Sequence, residues 1–212
     1  MPLLRGKSCF LKRFPAILTE IIYILASYLV GSIPTSAIIA KLKGVSDLTK
    51  EGSGNLGATN VSRVIGREFG FITLVIDVAK GFIPALLAIK LFPASFFFLS
   101  LIIIAPVIGH CYSIFIKFKG GKGVATALGV FLAVSPKAVL IAFLIFVIIL
   151  FFARYVSLSS IISAFFMPFL IFYTLKNIYL FAASAFIAIL IIYKHSPNIK
   201  RLLNGTEHKI KK

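Results

Sequence analysis

Long apolar blocks separated by short polar turns run the length of this chain, and the block lengths predict its elements. A helix needs roughly 20 apolar residues to cross a bilayer core of about 30 Å, at about 1.5 Å of rise per residue. Residues 16–40 meet that length and predict a first helix, with Gly31 and Pro34 inside it. A hydrophilic stretch rich in Gly, Ser, Thr and Asn follows over 41–67. Residues 69–92 predict a second helix carrying Asp77 and Lys80, and 94–116 a third. After the basic turn 117–123 come eleven apolar residues, 124–134, then Ser135-Pro136 and a further apolar block, 138–153. Eleven residues make roughly 16 Å of helix, too short to cross alone. This pair reads either as two short spans or as a hairpin re-entering its own side. Residues 157–175 and 178–193 predict the last two helices, and a basic tail ends the chain.

The expected fold class is therefore all-α, a polytopic transmembrane bundle of seven helices, two of them short. Residues 1–15 form a basic N-terminal tail and 16–212 a single transmembrane domain. The tail looks like the start of a signal peptide. The apolar run after it has no small-residue cleavage site and is long enough to span, so a retained helix is expected.

Composition sharpens the class. With 59% hydrophobic residues in 212 and a mean hydropathy of +1.03, the chain is too apolar for an ordinary soluble domain. Lys and Arg number 23 against 6 Asp and Glu, a net charge of +17. In a soluble protein that excess points to nucleic acid. Here no nucleic-acid module accompanies it, and the basic residues lie in loops and the tail, facing anionic substrates and membrane lipid. The loops 41–67 and 117–123, Arg154 and the C-terminal tail fall on one side whether the 124–153 pair crosses twice or re-enters. That side holds fifteen Lys and Arg against seven on the other, which makes it cytoplasmic by the positive-inside rule. Cys9 and Cys111, the two cysteines, give neither a disulfide framework nor a metal site. No His, Cys, Asp and Glu spacing suits a metal.

Three polar constellations could carry chemistry. The first is Gly52-Ser53-Gly54-Asn55-Leu56-Gly57-Ala58-Thr59-Asn60, followed by Arg63. Its glycines allow a tight backbone whose N–H groups converge on an anion. A helix starting near Ala58 would put Asn60 and Arg63 on one face, an amide and a guanidinium beside a phosphate. The second, Gly120-Gly121-Lys122-Gly123 running on to Thr126, feeds a helix N-terminus, where free N–H groups and the helix dipole favour an anion. It lacks the Walker A order. The third follows the last helix: His195, Asn198, Arg201 and Glu207. An imidazole there can act as a base or bind a hydroxyl, Asn198 can serve phosphate or glycerol oxygens, and Glu207 pairs with Arg201. Each has a plainer reading, as a flexible polar loop, a headgroup-contacting turn and a structural interfacial histidine. Asp77 and Lys80 are expected to pair at i, i+3. Ser157 and Ser160 are expected to line a polar pocket, and His110 to be a core hydrogen-bonder.

Together these segments resemble the acyl-phosphate:glycerol-3-phosphate acyltransferase family of bacterial membrane enzymes. The likeness rests on GSIPTS at 31–36, GSGNLGATN at 52–60 with Arg63, DVAKG at 77–81, GH at 109–110, FKGGKGVAT at 118–126, RYVSLSS at 154–160 and HSPNIKRLLNGTE at 195–207. The chain departs from the family in a longer N-terminal tail and in Ser113, where a proline is common. The resemblance implies seven spans, with two short ones rather than a re-entrant hairpin, motif loops in the cytoplasm, and a bacterial cytoplasmic membrane location. It implies acyl transfer from acyl phosphate to glycerol 3-phosphate, forming lysophosphatidic acid in the first step of phospholipid synthesis, with no cofactor. Ser53 and the glycine-rich loops (Gly54, Asn55, Thr59, Asn60, Gly120, Gly121, Gly123 and Thr126) would hold phosphate. Arg63, Lys122, Ser160, His195 and Asn198 would position glycerol 3-phosphate, with the hydroxyl proton going to His195 or to the leaving phosphate. A soluble phosphate acyltransferase making acyl phosphate is the implied partner. The competing function from another class is a transporter of phosphate or a phosphorylated solute, although the motifs gather at one face and no inverted repeat is evident.

Overall fold

The computed structural model describes residues 5–93 and 95–210, with backbone only for 5–16. Met1–Leu4 of the tail and Lys211 and Lys212, counted in the charge asymmetry, lie outside the described residues. Ten α-helices and no strand occur among the described residues: α1 Arg5–Ser32, α2 Thr35–Leu42, α3 Ala58–Val64, α4 Arg67–Leu91, α5 Phe96–Cys111, α6 Val124–Val134, α7 Pro136–Ala153, α8 Val156–Leu175, α9 Ile178–Lys194 and α10 Ser196–Leu203. The fold is an all-α transmembrane bundle. Every expected apolar block is helical, and α1, α4, α5, α7 and α8 lie in segments long and apolar enough to span. The α9–α10 pair qualifies as well, bent by 54°.

Three differences from expectation have local causes. Helix α1 starts at Arg5, inside the stretch read as a tail. The first span is broken at Ile33-Pro34, because proline has no N–H to continue the ladder and disfavours helix in the residue before it. The C-terminal tail carries α10, whose buried residue is the polar Asn198, so no apolar block announced it.

Turn chemistry sets the remaining ends. Ser135 Oγ accepts from Ala138 N at 3.3 Å with Pro136 in the first turn, which closes α6 and opens α7. Asn177 Oδ1 accepts from Tyr179 N and Leu180 N at 3.0 and 3.1 Å and opens α9. Arg154 and Lys176, at φ 63° and 51°, end α7 and α8 in the left-handed conformation.

The helices interlock where small residues let backbones touch. Helix α1 packs on α5, and a Cβ on Gly31 or Gly109 would overlap the facing backbone of Pro106 or Tyr28. Helix α4 packs on α6 in the same way, Gly81 against Thr126 and Gly129 against Val78. Helices α7, α8 and α9 pack in sequence, and α9 returns to α5. Ile102, Val107, Val130, Ile171 and Ile187 fill the core between them.

The short helix α6 resolves the open pair. Ser135 Oγ, at its far end, hydrogen-bonds Thr174 Oγ1 at 3.1 Å. Thr174 is in the last turn of α8, whereas Ser157 at the other end of α8 bonds Glu207 of the third motif. The α6–α7 turn thus reaches the end of the bundle opposite the motifs. Helix α6 therefore runs from the motif end of the bundle to the opposite end rather than turning back beside the motifs, and Gly123 at its start lies against Val107 and Ile191.

Candidate active site

The three polar segments converge at one end of the bundle around a cavity of about 860 Å³. In the first, Asp47 caps a 3-10 turn at Leu48–Lys50 by accepting from Thr49 N at 3.0 Å. Asn60, in the first turn of α3 and fully buried, organises the glycine-rich loop between that turn and α3. Its Oδ1 accepts from Ser53 N and Ser53 Oγ at 2.8 and 3.1 Å. Its Nδ2 donates to Leu48 O and Glu51 O at 3.3 and 3.0 Å. The amide is spent on shaping the loop, and the loop in turn aims Ser53 and Asn55 at the cavity, with Thr59 and Arg63 from α3 beside them.

The second segment folds back over the end of α5. Gly120 and Gly121 lie directly on the backbone and ring of His110, with no room for a side chain, and Gly121 N donates to His110 O at 3.2 Å. Gly123, at φ 82°, caps α6 and turns Lys122 and the first turn of α6 toward the cavity. Lys122 Nζ donates to Asn198 Oδ1. Burial, the largest influence, pushes the Lys122 pKa down to about 8, helped by Arg201 and Arg63 and opposed by Glu207.

The third segment is tied together by Glu207. Its carboxylate accepts from Asn198 Nδ2 at 2.7 Å, Ser157 Oγ at 2.8 Å and Arg201 Nε at 2.7 Å. Burial pushes Glu207 up, but these hydrogen bonds and the Arg201 charge outweigh it and hold the carboxyl below its usual range. With its NH2 turned to Glu207, Asn198 must face Lys122 with its carbonyl oxygen. His195 Nδ1 lies 2.8 Å from Ile191 O. A carbonyl only accepts, so Nδ1 carries the hydrogen and Nε2 keeps a free lone pair. Burial first, then Lys122, pushes the His195 pKa down to about 4, against the opposing Ile191 hydrogen bond and Glu207. His195 is neutral at pH 7.

Of the residues expected to form the site, Ser53, Asn55, Thr59, Arg63, Lys122, Gly123, Ser160, His195 and Asn198 all line the cavity. Five stand behind its wall. Asn60 and Gly54 build the first loop, Gly54 at φ 69° against Thr49 O. Gly120 and Gly121 seat the second on α5. Thr126 is fully buried where α6 meets Gly81. Ser160 Oγ is bonded back to Val156 O at 2.8 Å on the cavity wall. The Arg201–Glu207 and Asp77–Lys80 pairs form as expected, the latter at 2.9 Å. The wall also includes Arg67, Asp77, His110 and Glu207, which sequence reasoning had not placed there. Charges inside a spanning helix were the one available signal for Asp77. Nothing in the sequence joined Glu207 to Ser157, fifty positions away.

Below this polar mouth the walls turn apolar, with Leu74, Leu128, Phe131, Val139, Phe143, Met167 and Ile187. Phe71 and Phe143, from α4 and α7, are 66% and 55% exposed, so the slot borders the lipid-facing surface. The arrangement suits an amphiphile with an anionic head at the mouth and an alkyl chain in the slot.

Comparison with known proteins agrees with this geometry. Residues 21–205 match the family model described as glycerol-3-phosphate acyltransferase. A glycerol-3-phosphate acyltransferase of Syntrophotalea carbinolica is 49% identical over 190 residues, covering 90% of this chain and 97% of the relative. One from Aquifex aeolicus is 49% identical over 189 residues, covering 88% and 96%. The crystal structure of PlsY (YgiH), an integral membrane glycerol 3-phosphate acyltransferase, in its glycerol 3-phosphate form superimposes with a TM-score of 0.88 at 45% identity, covering 91% of this chain and 96% of that one. Its lysophosphatidic acid form gives 0.85 at 44% identity, with the same coverage. Residues spread over nine-tenths of the chain, and a backbone shared with an integral membrane acyltransferase, place this chain in the glycerol-3-phosphate acyltransferase family as a membrane enzyme.

Proposed function

We propose that the chain transfers the acyl group of an acyl phosphate to glycerol 3-phosphate, giving lysophosphatidic acid and phosphate, the first step of bacterial phospholipid synthesis. The observation carrying this reading is the meeting of Arg63, Lys122, His195 and Asn198, from three distant segments, at the polar mouth of an apolar slot. Both substrates bear phosphate, and both kinds of anion holder are present. Arg63 offers a planar fork and Lys122 a point charge beside the N-terminus of α6. Ser53, Asn55 and Thr59 add hydroxyl and amide groups.

An acyl phosphate is already activated, so holding the two reactants in line and stabilising the developing charge supply most of the acceleration. The glycerol hydroxyl oxygen bonds to the acyl carbon while the bond from that carbon to the phosphate oxygen breaks. The hydroxyl hydrogen-bonds His195 Nε2, which orients it. His195, neutral in the substrate-free site, orients the hydroxyl without having to keep its proton. The departing phosphate, with a second pKa of about 6 by analogy with phosphate monoesters, takes it.

The donor is supplied by a soluble phosphate acyltransferase, and the site faces the cytoplasm of the bacterial inner membrane. Purified protein offered glycerol 3-phosphate with acyl phosphate, acyl-CoA or acyl carrier protein tests the reading. Lysophosphatidic acid is expected with acyl phosphate alone. Equal turnover with acyl-CoA would defeat it.

A further inference from the structure

The geometry points to His110 as a positioning residue for the glycine turn that carries Lys122, held from behind by Asp77 and Lys80. This rests on the function proposed above. A carboxylate and an ammonium inside a spanning helix are costly in hydrocarbon and call for a reason. Asp77 and Lys80 are 2% and 5% exposed and pair at 2.9 Å. Lys80 Nζ also donates to Ile33 O at 3.0 Å, so the pair is anchored on the break between α1 and α2.

On its other side Asp77 faces His110, whose Nδ1 stands 3.8 Å from Asp77 Oδ1 and has no hydrogen-bond partner among the described residues. The far side of the same ring meets Gly121. A Cβ at Gly121 would overlap His110 Nε2 and Leu56 O, and Gly121 N is bonded to His110 O. His110 therefore fixes Gly121 through both ring and backbone, one residue before Lys122. Both Asp77 and His110 also line the cavity beside Lys122. A chain of contacts runs from the broken first span through an ion pair and an imidazole to the turn presenting the ammonium. Glycine turns are flexible, and a misplacement of about 1 Å costs catalysis about a hundredfold. A rigid stop behind this one is what the site needs.

The test measures kcat, the KM for each substrate and the melting temperature of wild type, His110→Ala and His110→Gln, purified in detergent. His110→Ala is expected to raise the KM for glycerol 3-phosphate about tenfold with the donor KM within about twofold, alongside a lowered melting temperature from the cavity it leaves. His110→Gln, which restores a polar but flexible side chain between Asp77 and Gly121, should recover part of that loss and leave the KM for glycerol 3-phosphate raised about threefold. It also decides the matter if His110→Ala fails to accumulate, since a purely structural histidine would give His110→Gln a lowered melting temperature and an unshifted KM. An unchanged KM in either folded variant, or equal losses for both substrates, overturns the role of His110. Wild type inactive with acyl phosphate would instead overturn the proposed function.

Discussion

Lys122 and Arg63 reach the cavity from segments some sixty positions apart, and their charges repel, so that Arg63 weakens the hold of Lys122 on its proton. Two cations held together in a half-buried pocket are poised for a shared anion. Either Lys122→Ala or Arg63→Ala should reduce turnover at least about a hundredfold, in the range of other losses of a charge-stabilising donor. Far-UV circular dichroism and melting should be preserved, and near-normal turnover in both variants would remove the site. The pH dependence comes from the same burial. Lys122 is charged below about 8 and loses its proton as pH rises through that value, so kcat/KM should fall above pH 8. A bound dianion restores the charged form, so the limb in kcat should lie higher. His195, neutral above about 4, adds no acid limb between pH 5 and 7. A limb there should persist in His195→Gln, because it belongs to the substrate phosphates. At this scale the residue types were legible and their division of labour was not. Asn60 and Arg63 share a short helix, yet one amide is consumed by four loop contacts while its neighbour reaches the cavity.

The helices α4 and α6 meet through Gly81 and Gly129, which lie against the backbones of Thr126 and Val78. A side chain at either position must push the helices apart, an overpacking cost of about 1–3 kcal/mol. Gly129→Leu should lower the melting temperature of the detergent-purified protein by several degrees. It should also weaken turnover, because α6 carries the cavity wall from Val124 to Phe131. A melting temperature equal to wild type would show that the close approach is not needed. Block length alone located these helices, because a spanning segment must satisfy its backbone internally and be apolar for its whole length. The same rule made α10 invisible. Its eight residues mix polar and apolar positions and are too few to stand alone, and the bonding of Asn198 and Arg201 to Glu207 holds it in place. The hairpin-or-crossing choice for α6 was equally closed to sequence, since both give the same parity. It turned on one hydrogen bond, between Ser135 and Thr174.

Across the molecule, the basic excess and the site belong to one end. Single cysteines at Lys50, Lys119 and Asn204, in a background lacking Cys9 and Cys111, should be labelled by an impermeant thiol reagent only after the membrane is opened. Cysteines at Lys137 and Lys176 should react in sealed spheroplasts. All five positions are exposed. The opposite pattern would invert the orientation, and a split among the first three would be incompatible with a single pocket. Membership of an acyltransferase family also sets aside the transporter alternative, which used the same anion-binding loops.

Hydropathy and charge were enough to establish a membrane-spanning helical chain, its turn positions and a common face for its polar motifs, because the bilayer constrains length, backbone bonding and loop charge one segment at a time. Which polar groups face substrate and which only brace the loops depended on the folded chain. So did the placing of Glu207 against Ser157 and of His110 behind Gly121. Those are contacts between distant segments, set by how glycine-lined helices close on one another, and no local stretch of residues encodes them.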